Sequence, residues 1–153
     1  MKTILVPVDF SNATQAVLDA AVALRGSVGG KIVVLHVIPP PVLTSGYGAM
    51  LDNVSEIMAA NEKSTKVRLL AIKADFKKRR IPTKTVFAFG MPASVILEEA
   101  KATEPAYIIL GSHGHTAVYD LLVGSTTHVV LKNATCPVVV VPLAKTPKAK
   151  KAR

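Results

Sequence analysis

The stretch of this 153-residue chain best suited to chemistry is Gly111-Ser-His-Gly114, followed after nine residues by Gly124-Ser125-Thr126. An apolar run, Ala106-Tyr-Ile-Ile-Leu110, leads into it, and a segment of helical character, Thr127-His-Val-Val-Leu-Lys132, follows. Glycines at a strand end let backbone amides approach an anion because no Cβ intrudes. A Gly-Ser pair at a helix start adds further amides and the positive end of a helix dipole. The pattern points to phosphate as the bound group. Each glycine alone reads as a turn, and Ser125 alone as an ordinary N-cap. The strand before and the helix after give the longer spacing its meaning. A second candidate is Asp9, which ends the apolar run Thr3-Ile-Leu-Val-Pro-Val8.

Other chemistries fail on spacing. A phosphate-binding loop of the Walker type needs Gly-Lys followed by Ser or Thr and a helix, whereas Gly29-Gly-Lys31 runs on into Ile32 and a strand. No Gly-x-Gly-x-x-Gly follows the first strand. His113 and His115 flank Gly114, but no acidic or cysteine cluster joins them, so no metal site is expected. Ser112, His113 and Asp120 supply the residue types of a hydrolytic triad without a nucleophile elbow. A phosphoacceptor site of the receiver type needs paired carboxylates, and Asp9 is followed by Phe10. With no general base in place, no catalytic residue is assigned.

The elements that would hold these residues alternate along the chain. After the first strand, Ser11 and Asn12 offer N-cap side chains, with Gln15 three residues beyond Asn12 as in a capping box. Ala13, Val17, Ala20, Ala21, Leu24 and Val28 then recur at helical spacing until Gly29-Gly30. Lys31 to Ile38 is a second strand, halted by prolines, with His36 read as a satisfied core histidine. Residues 39 to 50 form a long loop suited to a binding lid. Asn53 and Glu56 start a helix of some 25 residues, with Val54, Ile57, Met58, Thr65, Leu69, Ile72 and Phe76 on its apolar face. Thr83 to Ala88 alternates like an edge strand, and Gly90 and Pro92 open a third helix. The strand Ala106–Leu110, a fourth helix, and Cys136-Pro-Val-Val-Val-Val-Pro142 complete the series.

Five strands alternating with four helices predict a single α/β domain, a doubly wound (Rossmann-like) parallel sheet with helices on both faces. Such sheets bind ligands beyond the carboxyl ends of strands, where the strand order reverses. In the order 3-2-1-4-5, Asp9 and Gly111 meet across that crevice.

Composition bounds the partners. One domain of this length buries roughly 70% of its unfolded surface, enough for a full core. Half the residues are hydrophobic, yet no apolar run nears the roughly 20 needed to span a bilayer, and the opening lacks signal-peptide character. A soluble, cytoplasmic protein without membrane contact is expected, and the single Cys136 fits a reducing compartment. The net charge of +9 concentrates in Lys77-Lys-Arg-Arg80 and in the end of the chain, where five of the last nine residues are basic. Residues 1–143 are read as the folded domain and 144–153 as a disordered basic tail. Neither basic cluster carries interleaved aromatic residues, which weakens a nucleic-acid reading.

Gly111-x-x-Gly114, nine residues, then Gly124-Ser125 resembles the nucleotide motif of the universal stress protein (UspA-like) family, in its ATP-binding subgroup. The resemblance extends over Ile4-Leu-Val-Pro-Val-Asp9, His36-Val37, Gly90-x-Pro92 and Cys136-Pro-Val-Val-Val-Val141. It implies the 3-2-1-4-5 sheet, binding of ATP or AMP with or without Mg, at most slow ATP hydrolysis or autophosphorylation, and a homodimer. By resemblance, Asp9 accepts hydrogen bonds from the nucleoside, Pro7 shapes that strand end, and Val37 lines the adenine pocket. Gly111 and Gly114 admit the ribose and phosphates, and His113 adds positive character. Gly124, Ser125 and Thr126 donate to the phosphates, Thr126 standing where valine is frequent. The expected function is a nucleotide-binding stress-response or signalling module in which ligand orders loops and alters an unidentified protein partner's surface. The exposed edge of Val138, Val139, Val140 and Val141 is expected to pair with its copy. The competing reading is a non-enzymatic adaptor or nucleic-acid-associated protein that uses the basic tail with no nucleotide bound.

Overall fold

Runs of apolar residues uninterrupted by polar ones belong in strands covered on both faces, and that is where this chain puts them. The structure, a computed structural model, describes residues 1–42, 51–113 and 123–142, with the side chains of 51 and 52 excepted. Strands β1 (Thr3–Pro7), β2 (Lys31–Ile38), β3 (Thr83–Phe89), β4 (Tyr107–Gly111) and β5 (Val138–Val141) form one sheet in the order β3-β2-β1-β4-β5. Every pairing is parallel. The expected doubly wound architecture is the one found, and the reversal of strand order falls between β1 and β4.

Alternate residues of the central strands face opposite layers. Ile4, Val6, Ile32 and Val34 pack with Val17 and Leu18 of α1 (Thr14–Val28) and with Leu69 and Phe76 of α2 (Leu51–Lys78). Leu5, Val33, Leu35 and Ile108 pack with Ile96 of α3 (Pro92–Thr103) and Val130 of α4 (Ser125–Asn133). Pro92 occupies the first turn of α3, where its missing N–H costs nothing, as its spacing from Gly90 predicts.

Two local expectations are corrected. Asn12 and Gln15 do not form a capping box. The chain instead enters α1 through a tight turn in which Ser11 Oγ accepts from the Ala13 amide at 3.3 Å and the Ser11 carbonyl accepts from the Thr14 amide at 3.0 Å, while Gln15 reaches forward to Asp19. Ile57, placed by periodicity on the buried face of α2, is 50% exposed. The reason is length. With 28 residues α2 is about 42 Å long, whereas the eight residues of β2 span about 26 Å, so the helix overhangs the sheet by about 16 Å. Its buried residues Thr65, Leu69 and Phe76 lie in the later part, and the earlier part stands beyond the carboxyl edge of the strands.

Candidate functional site

A cavity of about 510 Å³ opens at the carboxyl ends of β1, β2 and β4, under the overhang of α2. Its volume falls within the range usual for small-ligand sites. Of the residues singled out from sequence, Pro7, Asp9, Val37, Gly111, His113, Gly124, Ser125 and Thr126 all line it. Gly114 lies outside the described residues, as do most of loop 39–50 and the tail.

The strand ends are shaped for close approach. Asp9 follows β1, and its Oδ1 accepts the Ser11 amide at 2.9 Å, which turns the chain toward α1. A Cβ on Gly111 would come within 3.2 Å of Ala13 Cβ and 3.3 Å of the His113 carbonyl, so the start of α1 crosses the end of β4 where only a glycine fits without adjustment. Two hydrogen bonds dock α4 onto the same strand end: Thr127 Oγ1 donates to the Gly111 carbonyl at 2.8 Å, and the Gly124 amide donates to the Ser112 carbonyl at 2.6 Å.

That docking fixes an anion-attracting end. The N-cap of α4 is Gly124 in extended conformation, without a side-chain cap, and the first intrahelical bond runs from the His128 amide to the Gly124 carbonyl. The amides of Ser125, Thr126 and Thr127 therefore have no acceptor within the helix, and all three residues line the cavity. Amides in the first turn, with the dipole behind them, can hold a phosphate. His113 stands beside this end, its Nδ1 3.3 Å from Ser112 Oγ.

The opposite wall was not foreseen from sequence. Asn61, Ser64, Thr65 and Arg68 reach the cavity from α2, and Phe10 and His36 join them from the ends of β1 and β2. His36 Nδ1 lies 2.8 Å from the Val8 carbonyl, so that nitrogen carries a proton, and its ring stacks on Phe10 with centroids 4.3 Å apart. The histidine is satisfied, as expected, yet it lines the cavity rather than sitting in the core. Its place near the carboxyl end of β2 was the available signal. Asp9 and Arg68 are the charged side chains in the described lining. Among the described residues no three His, Cys, Asp or Glu side chains gather as a metal site. No helix among them is long and apolar enough to cross a membrane.

Comparison with known proteins decides the family, because the universal stress protein family profile matches residues 1–142. The chain belongs to the universal stress protein family. It is 29% identical to a universal stress protein of Bacillus subtilis over 142 residues, covering 90% of this chain and 96% of that one. The solved structure of UspA from Lactobacillus plantarum, 29% identical, superposes with a TM-score of 0.78 over 92% of this chain and 97% of that one. Two more distant members share the fold. One from Arabidopsis thaliana, 16% identical with a TM-score of 0.69 over 99% of this chain and 97% of that one, was solved with AMP bound. Another, 19% identical with a TM-score of 0.67 over 92% of this chain and 96% of that one, was solved in complex with cAMP. This universal stress protein thus shares its overall fold with solved members of its family.

Proposed function

We propose that this universal stress protein binds an adenine nucleotide, ATP or AMP, in the cavity between β1 and β4, and works as a stress-response or signalling module rather than as a rapid enzyme. The observation that carries the reading is the convergence of Asp9, Gly111 and the uncapped first turn of α4 on one cavity. In this reading Gly124, Ser125 and Thr126 hold the phosphates, while Asp9 and the backbone at Val37 take the nucleoside. Gly111 and Gly114 give the backbone room, Pro7 sets the end of β1, and His113 adds a donor. The AMP and cAMP complexes of fold neighbours support adenine as the base. Asp9 is the sole carboxylate in the described lining, so Mg, where it accompanies ATP, would be held mainly by the phosphates.

A nucleotide bridging the loops after β1 and β4 stabilises whichever loop arrangement contacts it and so shifts the surface offered to a partner protein in the cytoplasm. The second part of the proposal is a homodimer through β5, which ends the sheet at one edge with Val139 36% exposed. The test is direct: denature the purified protein and identify any released nucleotide, with Asp9→Ala and Gly114→Val as controls. Release of AMP or ATP from the parent and its loss from the variants supports the reading. An empty protein that also fails to take up added AMP or ATP overturns it.

A further inference from the structure

The α2 wall of the cavity holds a group that neither the glycine motif nor the strand ends explain. The Arg68 guanidinium lies over the Phe10 ring, 5.1 Å from its centroid, and the same ring stacks on His36. Phe10 reaches this position in the left-handed region, φ 59°, which for a bulky side chain is a strained conformation of the kind found at ligand clamps. Arg68 is exposed toward the cavity, forms no ion pair among the described residues, and is the one permanent cation in the described lining. A guanidinium laid on an aromatic ring keeps its in-plane N–H donors available, and it has only donors to offer.

Its place across the sheet says what it would meet. Phe10 and His36 stand at the ends of β1 and β2, whereas the first turn of α4 is docked beyond the end of β4. At about 4.8 Å per strand, the Arg68 column, over the ends of β1 and β2, is one to two strand spacings, about 5–10 Å, from the end of β4 where α4 is docked. We propose that Arg68, held on Phe10, is a ligand-contacting residue that reads acceptor atoms on the nucleoside half of the bound nucleotide. The inference rests on the nucleotide reading above and adds to it a specificity wall on α2, in which Ser64 and Asn61 stand one and two turns before Arg68.

Isothermal titration of adenosine and of AMP into the wild type, Arg68→Ala, Arg68→Lys and Phe10→Leu tests it, with thermal unfolding of each to show that the fold persists. Arg68→Ala should weaken both ligands by the same factor, about 5- to 20-fold. Lysine should restore only part, since an ammonium lacks the planar fork, and Phe10→Leu should reproduce part of the loss. Wild-type affinity in Arg68→Ala for both ligands, a loss confined to AMP, or full rescue by lysine would each overturn it while leaving nucleotide binding intact. A wild type that binds neither ligand removes both proposals.

Discussion

The Thr127 hydroxyl donates to the Gly111 carbonyl at 2.8 Å, joining the first turn of α4 to the end of β4 across the reversal of strand order. Thr127 is 5% exposed, so the bond is shielded from water, and it fixes where the free amides of α4 point. Replacing Thr127 by valine keeps the shape and leaves the Gly111 carbonyl short of a donor. Urea unfolding should show a loss of about 1–3 kcal/mol, with Thr127→Ser recovering much of it. Nucleotide affinity should fall in the valine variant by more than stability alone explains.

The turn between α1 and β2 gives a graded test of backbone physics. Gly29 has φ 74° with nothing near a built Cβ, whereas Gly30 has φ 96° and its Cβ would collide with the Lys2 carbonyl. Gly29→Ala should cost about 1–3 kcal/mol from the backbone alone, because φ 74° with ψ −170° is a region that essentially only glycine adopts. Gly30→Ala should cost more, because the Lys2 carbonyl also accepts the Lys31 amide at 2.9 Å and cannot withdraw without loosening β1 from β2. Equal melting temperatures for the two variants would contradict this.

Val139 sits on the outermost strand and is 36% exposed, which suits pairing with a second copy. On the proposed β5 pairing, the wild type should run as a dimer and Val139→Lys as a monomer in light scattering at micromolar concentration, with the melting temperature of the monomeric fold largely kept. An unchanged mass would remove β5 from the interface.

How much of this was legible in the sequence follows from the physics of each part. Unbroken apolar runs announced the strands, and glycines with an acid at strand ends announced the cavity, because those signals are local. The α2 wall was not legible. Asn61, Ser64 and Arg68 look like an ordinary solvated helix face, and only the overhang of a helix longer than its sheet turns that face toward a cavity. The same overhang misplaces Ile57. At the start of α1, Asn12 had the right residue type for a cap, but the Asp9–Ser11 hydrogen bond set the turn first.

Burial pushes the Cys136 thiol above the ordinary cysteine value, against a smaller opposing pull from its hydrogen bond with the Ile108 backbone. The thiolate is therefore scarcer in the folded protein than in the unfolded chain at any pH near neutrality. Alkylation by iodoacetamide at pH 7 should be slower in the native protein than in urea and should accelerate as the pH rises past the usual thiol range. The linked stability is whole below the ordinary thiol pKa and declines as the pH climbs through the raised one. Native and denatured protein reacting at one rate would contradict it.

The central claim is that one nucleotide is held between the end of β1 and the first turn of α4, and calorimetric titration with AMP and with ATP tests it most directly. The expected result is saturable binding at one site per chain, weakened at least about tenfold by Gly124→Val, whose Cβ would crowd the Ser112 carbonyl at 3.3 Å and displace the amides of α4. No heat and no thermal shift with either nucleotide, or unaltered binding in the valine variant, would contradict it.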